Sequence, residues 1–117
     1  MQQNKIRIFV SKAVFRIFQM SSVESRIRDQ YNQLAQIYDR RWGRYVTNTL
    51  AFLKEWATVS PSALVLDIAC GTGELERLLL EDNPAQHITG VDISEQMLIQ
   101  AQQKLKSYSH VSFKRAA

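Results

Sequence analysis

Between residues 21 and 60, apolar side chains recur every three or four positions, which is the spacing of one face of an α-helix. One group of them precedes Gly43 and another follows it, so the pattern predicts two helical stretches that this glycine interrupts. The two stripes consist of Ile27, Tyr31, Leu34 and Tyr38, followed by Val46, Leu50, Leu53 and Ala57. The sequence Ser-Pro-Ser at 60–62 predicts the turn that closes this helical zone.

The period of the pattern changes after this turn. Residues 63–69 form a nearly continuous apolar run, which is typical of a strand buried on both faces of a parallel sheet. Two further strands are predicted at 88–92 and 111–114, and Ser94 is a natural N-cap for the helix between them. The inward-facing residues of the two intervening helices are Leu75, Leu78 and Leu79, and then Met97, Leu98, Ala101 and Leu105. Helices followed by β-α-β-α-β predict an α/β fold with parallel strands and right-handed crossovers.

Residues 1–20 differ in composition from the rest of the chain. They contain four basic residues and no acid, and a helix would gather their apolar side chains on one face. Three interpretations stay open: a helix on a membrane surface, an organellar transit peptide, or a segment that is disordered or is included only because the start site was placed too early. Met20 precedes a capping-box spacing from Ser21 to Glu24, which fits a start there. The predicted boundaries are a segment at 1–20 and a domain at 21–117.

The net charge of +4 comes from this segment, because the other 11 basic residues are balanced by 11 acidic ones. The domain therefore lacks the positive excess that a nucleic-acid-binding face needs. No apolar run reaches the roughly 20 residues of a membrane span. The one cysteine, Cys70, cannot form an internal disulfide, so a cytoplasmic location is expected. The two histidines lie far from each other and from Cys70 in sequence, and no metal site is predicted.

A glycine-containing turn stands between the first predicted strand and the helix after it. Gly71 and Gly73 tolerate positive φ and have no Cβ, so the backbone can turn sharply here and approach a ligand. Asp92 follows 19 residues after Gly73, at the end of the next strand. Because the carboxyl ends of parallel strands meet at one edge of the sheet, its carboxylate is placed to accept hydrogen bonds from ribose hydroxyls.

Two cofactor classes use this layout, and the acids near the turn discriminate between them. Dinucleotide enzymes favour a third glycine, with the pyrophosphate at the helix N-terminus. Here Glu76 occupies the third position and Glu74 lies in the same first turn, so two carboxylates would repel a pyrophosphate. S-adenosylmethionine carries a sulfonium and an amino group and no phosphate, so Asp67, Glu74 and Asp92 are compatible with it. An NAD-dependent oxidoreductase is the less favoured alternative.

Three stretches of the chain resemble the motifs of a known enzyme family. Residues 65–73, Val-Leu-Asp-Ile-Ala-Cys-Gly-Thr-Gly, and residues 90–94, Gly-Val-Asp-Ile-Ser, resemble the first two motifs of class I S-adenosylmethionine-dependent methyltransferases. Ala69 stands in place of the family's usual first glycine. Residues 31–39 resemble the N-terminal helix that covers the cofactor in the small-molecule branch, which includes ubiquinone and menaquinone biosynthesis methyltransferases. The resemblance covers residues 24–116 and implies a Rossmann-like three-layer α/β methyltransferase fold.

The resemblance implies that the chain binds S-adenosylmethionine and transfers its methyl group to a small-molecule acceptor. By position, it implies that the glycine turn and Asp67 hold the methionine part and that Asp92 binds the ribose hydroxyls. Ile93 and Met97 would flank the adenine, and Tyr38 would close over the methionine end. The cofactor-binding residues so implied are Tyr38, Asp67, Ala69, Cys70, Gly71, Thr72, Gly73, Asp92, Ile93 and Met97. No catalytic residue is assigned.

Several of these residues also have a purely structural interpretation. Asp67 would cap the glycine turn, and Asp92 would begin a helix without touching a ligand. Tyr38 and Met97 would be core side chains on their helical stripes. Lys104, outside the motifs, is interpreted as a solvated surface residue.

The resembled sheet has strands beyond the three predicted here, which would lie in the order 3-2-1. We therefore expect an incomplete domain, from a truncated or frameshifted product, that is weak or inactive alone. Its first strand would have an open edge through which two chains could associate. The alternative from another class is a non-catalytic interaction module that pairs through this edge, as a dimer or with a second chain. The methyl acceptor and its reacting atom are not readable from the sequence.

Overall fold

The computed structural model describes the backbone of residues 6–10 and the chain from 21 to 116. These residues form strands and helices that alternate along most of the sequence. The elements are β1 Ile6–Val10, α1 Ser21–Ala57, β2 Leu64–Ile68, α2 Glu74–Asp82, β3 His87–Asp92, α3 Glu95–Lys104 and β4 Val111–Arg115. The order from β2 to β4 confirms the predicted β-α-β-α-β arrangement.

The four strands are parallel and lie in the order β1-β2-β3-β4. Consecutive strands are neighbours, so β2, β3 and β4 have the predicted adjacency. Asp67 of β2 is in register with Gly90 of β3, and Ile68 is in register with Val91. The carboxyl ends of these two strands therefore open side by side, and the loops that follow them start at the same level of the sheet.

The strand β1 departs from the sequence prediction, which expected a helix or a disordered tail at residues 6–10. This segment pairs with β2, with Ile8 in register with Leu66. Its sequence, Ile-Arg-Ile-Phe-Val, is mostly β-branched or aromatic, and such residues favour strands. Residues 1–5 and 11–20 lie outside the described residues, so the interpretations of the start site and of membrane or organelle targeting stay predictions.

The edge of β2 that was expected to be open is covered by β1. All five residues of β2 have a partner in β1, from Leu64 opposite Ile6 to Ile68 opposite Val10. The prediction of an exposed edge is therefore wrong for this strand, because a segment far upstream in the sequence supplies a neighbour. Association of two chains through this edge stays a prediction, and it would require β1 to be displaced.

The helix α1 is continuous, whereas the sequence predicted two stretches interrupted at Gly43. No heavy atom lies within 4 Å of the position that a Cβ on Gly43 would take, so this part of the helix is open to solvent. A glycine inside an exposed helix costs about 1 kcal/mol relative to alanine. Packing on both sides of Gly43 offsets this cost, because Ala35 before it and Leu50 of the predicted stripe after it are buried.

The hydrophobic core lies where α2 packs against β2, β3 and α1. Its buried members are Leu50, Val65, Leu75, Leu78, Leu79, Leu80, Ile88 and Leu105. All inward-facing positions predicted for α2 and α3 are buried, which confirms those stripes. α1 packs against both α2 and α3. Within the described chain, no helix has the length and apolar character needed to cross a membrane.

Candidate functional site

The loop after β2 has an unusual backbone. Ala69, Gly71 and Gly73 all have positive φ, at 65°, 59° and 79° respectively. L-residues rarely adopt this region, and glycine adopts it without strain. The chain therefore reverses sharply between β2 and α2, at the position the sequence predicted for a close approach to a ligand.

Ala69 carries the strain of this turn. It is the position at which the resembled family has a glycine, and its φ of 65° explains that preference. A non-glycine residue in the left-handed region costs roughly 1–2 kcal/mol. Because the neighbouring glycines complete the turn, the loop accepts one alanine at this cost.

Asp92 ties the two loops together. Its Oδ2 accepts a hydrogen bond from the backbone N–H of Gly71 at 2.8 Å, and its Oδ1 accepts one from the N–H of Ser94 at 2.9 Å. The residue is 4% exposed. Each oxygen of a carboxylate can accept more than one hydrogen bond. The loops after β2 and β3 thus form one surface, with the Asp92 carboxylate at their junction.

Ser94 caps α3, as predicted, and also contacts α1. Its Oγ accepts from the N–H of Met97 at 3.2 Å and donates to Oδ1 of Asn32 at 2.6 Å. The same Asn32 oxygen accepts from the N–H of Gln96 at 3.3 Å. Two free N–H groups of the helix N-terminus are thereby satisfied, one of them by a side chain from α1. The sequence offered no signal for Asn32, because its partners lie more than 60 residues away.

Close packing surrounds the end of the glycine turn. A Cβ on Gly73 would lie 3.1 Å from Cβ of Ala101 and 3.2 Å from Cδ1 of Leu105, so α3 lies directly against this loop. Met97, one turn into α3, is completely buried. Ile93, between Asp92 and the α3 cap, is half-buried. Met97 is therefore a packed side chain of the site wall, and Ile93 retains surface for a ligand.

Asp67 lies beneath the turn, against a second acid that the sequence did not pair with it. Asp67 and Glu76 are both 0% exposed. Burial, the negative charge of Asp67 and a hydrogen bond with it raise the pKa of Glu76 well above its ordinary value of 4.5. Gly90 makes room for this pair, because a Cβ there would lie 2.9 Å from Oε1 of Glu76. Two buried carboxyl groups therefore lie next to the glycine turn. Their negative charge stabilises a cation bound nearby.

Tyr38 is half-buried on the face of α1 that meets the loops. Its ring lies 6.5 Å from that of Tyr31 and 5.2 Å from that of Trp42, measured between centroids. Burial raises the pKa of the Tyr38 hydroxyl, and the nearby Tyr31, Asp39 and Asp92 raise it further. Asp92 is therefore near enough to act electrostatically on the Tyr38 hydroxyl.

The remaining predicted residues, Cys70 and Thr72, are buried within the turn. The N–H of Cys70 donates to the carbonyl of Val91 at 3.0 Å, which continues the β2–β3 pairing into the loop. Thr72 donates from its hydroxyl to Oδ1 of Asp39 on α1 at 2.5 Å. Of the ten predicted residues, Tyr38, Ala69 and Ile93 are half-buried and the other seven are buried.

Glu74 does not face this surface, although the sequence counted it among the acids compatible with the cofactor. Burial alone would raise the pKa of Glu74, but hydrogen bonds from Arg77 and Thr47 and the charge of Lys104 hold it below its ordinary value. Arg77 donates to both carboxylate oxygens, at 2.7 to 3.1 Å. The negative charge of Glu74 is therefore matched by protein groups.

Comparisons with known proteins agree with this geometry. Residues 65–117 match the family described as a methyltransferase domain. The chain is 36% identical over 85 residues to the demethylmenaquinone methyltransferase of Thermotoga maritima, covering 69% of this chain and 34% of that protein. It is 32% identical over 93 residues to the malonyl-[acyl-carrier protein] O-methyltransferase of Halalkalibacterium halodurans, covering 74% and 34%. The DhpI-SAH complex structure has the same fold, with a TM-score of 0.66 and 22% identity over 84% of this chain and 47% of that one.

These matches identify residues 65–117 as part of a methyltransferase domain, and the chain is similar to class I S-adenosylmethionine-dependent methyltransferases over the part of the domain that it covers. The chain spans about a third of the length of the curated relatives it matches. The predicted Rossmann-like α/β fold is confirmed. S-adenosylmethionine is the cofactor of this family.

The strain at Ala69 predicts that Ala69→Gly stabilises the chain. Glycine removes the left-handed penalty, and the expected gain in the free energy of unfolding is about 1 kcal/mol, measured by urea denaturation. Ala63→Gly is the matched control, because Ala63 is buried and has no positive φ, so the same substitution should destabilise by about 0.5–1 kcal/mol. A loss of stability in Ala69→Gly would contradict the assigned backbone conformation.

The raised pKa of Glu76 predicts a pH dependence of stability. Folded Glu76 keeps its proton at pH values where the unfolded chain has released it, so the free energy of unfolding falls as pH rises above its ordinary pKa of 4.5. Glu76→Gln removes this titration, and its amide can still donate to Asp67. The variant should gain stability over the wild type as pH increases from 4.5 to 8, in denaturant titrations.

An exposed glutamate on α1, Glu55, provides the control for this experiment. Glu55→Gln makes the same chemical change at the surface, and the pH dependence of Glu76→Gln is compared with it. If the curves of the wild type and Glu76→Gln run parallel, Glu76 does not hold a proton in the folded chain.

Proposed function

We propose that this chain binds S-adenosylmethionine at the junction of the two loops, beneath α1. The observation that carries the proposal is the position of Asp92, whose carboxylate joins the N–H groups of Gly71 and Ser94 at the carboxyl ends of β2 and β3. A ribose presents two adjacent hydroxyls, which match two carboxylate oxygens fixed in this way.

The surrounding residues fit the other parts of this cofactor. The turn from Ala69 to Gly73, with Cys70 and Thr72, offers backbone groups to the methionine part. The buried carboxyl pair of Asp67 and Glu76 favours the positive charge of its amino group and sulfonium. We assign Ile93 and Met97 to the adenine side because they follow Asp92, and Tyr38 to the methionine end because α1 places it over the loops.

We further propose that the activity is methyl transfer to a small-molecule acceptor. The cofactor supplies an electrophilic methyl group: a nucleophilic atom of the acceptor forms a bond to this carbon, and the bond from carbon to sulfur breaks with its electrons going to sulfur. The protein contributes mainly alignment of the acceptor with that bond. The two relatives are named for different acceptors, so we assign no reacting atom. The cytoplasm is the proposed compartment, because a lone cysteine suits a reducing environment.

The two alternative functions that the sequence left open, dinucleotide binding and a non-catalytic pairing module, have less support. A dinucleotide would place its pyrophosphate at the start of α2, where the first turn carries the two acids Glu74 and Glu76. A non-catalytic module that pairs through the edge of β2 was inferred from an open edge, and β1 occupies that edge. The non-catalytic module also gives Asp92 no role in binding a ligand.

Titration calorimetry tests the proposal with S-adenosylhomocysteine (SAH), the demethylated product, as the ligand. The full chain should bind SAH and should not bind NADH. Asp92→Asn should weaken SAH binding by about tenfold or more, because the variant loses one acceptor and the charge that strengthens both ribose contacts. Asp82→Asn is the control, since Asp82 lies on the exposed end of α2, and it should bind SAH as the wild type does. Absence of SAH binding, preference for NADH, or equal binding by Asp92→Asn would contradict the proposal.

A further inference from the structure

Lys104 is the centre of a polar cluster that joins four parts of the chain. Its Nζ lies 2.5 Å from Oδ2 of Asp39 on α1 and 3.4 Å from Oε2 of Glu74 on α2. The same nitrogen donates to Oγ1 of Thr72 in the glycine turn at 3.2 Å. The Lys104 side chain is only 20% exposed, so the sequence interpretation of this residue as solvated is wrong. Its positive charge forms ion pairs with Asp39 and Glu74 within the molecule.

Thr72 is held from two sides within this cluster. Its hydroxyl donates to Oδ1 of Asp39 and accepts from Lys104, so the donor and one acceptor position of a single oxygen are both used. Thr72 is 3% exposed. The orientation of the glycine turn is therefore coupled to an ion pair between α1 and α3.

The ion pair also separates two acids. Asp39 and Glu74 both approach the ammonium group of Lys104. If the positive charge is removed, two carboxylates face each other in a partly buried space, and their repulsion pushes α1 away from the loops. Arg77 also neutralises Glu74, but its ion pairs with Glu74 and Glu81 lie within α2.

α1 is also attached through Asn32, seven residues before Asp39. Seven residues are two turns of a helix, so both side chains lie on the same face of α1. Asn32 bonds Ser94 and Gln96 in the loop after β3, whereas Asp39 bonds Thr72 in the loop after β2. α1 is therefore attached to the loop after β2 and to the loop after β3.

We propose that Asp39 and Lys104 are positioning residues that latch α1 over the glycine turn and thereby set the affinity for the cofactor. The latch consists of Asp39, Thr72 and Lys104. Neither charged residue needs to touch the cofactor. They hold Thr72 and the part of α1 that includes Tyr38 in the arrangement that binds the cofactor. The chain then does not have to reorganise on binding, which favours affinity. This inference rests on the proposed binding of S-adenosylmethionine.

Calorimetric titration of SAH into single and double variants of the full chain tests the latch. Lys104→Met keeps the length of the side chain without its charge, and Asp39→Asn keeps the acceptor for Thr72 without its charge. If either change lowers the latched population to about a tenth, the apparent Kd rises about tenfold. The double variant should be no weaker than the worse single variant, because the two residues act as one pair.

Lys54→Met is the matched control. Lys54 also joins α1 to another helix, through an ion pair of 2.7 Å with Asp82, but this pair lies at the end of α2 opposite the glycine turn. The control should leave the Kd for SAH within twofold, and the melting temperatures of all the variants distinguish a loss of stability from a loss of binding.

The outcomes separate this inference from the proposed function. Wild-type binding with a tenfold loss in both latch variants supports the latch. Wild-type binding with Kd values unchanged in Lys104→Met and Asp39→Asn overturns the latch and leaves the proposed function standing. Additive losses in the double variant also overturn it, because they show two independent contributions. Failure of the wild type to bind SAH overturns both proposals together.

Discussion

The structure of the site depends on the carboxylate of Asp92. One of its oxygens holds the turn after β2 and the other holds the entry to α3, so a single buried side chain fixes two loops that are 21 residues apart. The parallel register of β2 and β3 makes this possible, because it brings both loops to the same level of the sheet. Charge-assisted hydrogen bonds to backbone N–H groups are stronger than neutral ones, and here they act where water is largely excluded.

The acidic residues near the glycine turn differ in whether a basic side chain neutralises them. Glu74 is matched by Arg77 and Lys104 and serves the packing of the helices. Asp67 and Glu76 are buried together, which costs stability at neutral pH and leaves negative charge beneath the turn. A cationic ligand would lower that cost, so the same arrangement that weakens the fold favours the cofactor of the family.

The parts that sequence predicted correctly are those set by local signals. Gly71 and Gly73 mark a turn by their own conformational freedom, Ser94 caps α3 through a bond three residues away, and the leucines of α2 follow the helical period. The strand β1 could not be predicted, because its sequence fits an amphipathic helix equally well and its pairing with β2 joins residues 58 positions apart. The role of Lys104 was missed for the same reason, since its partner Asp39 belongs to a distant helix.

A structure of the chain with bound SAH tests the central claim most directly, because the claim concerns the place that Asp92 gives to the ligand. The ribose hydroxyls should lie about 2.6–3.2 Å from the Asp92 carboxylate oxygens, with the hydrogen bond from Gly71 preserved and Ile93 against the adenine. SAH bound elsewhere on the molecule, or bound at the loops with its ribose away from Asp92, would contradict the account.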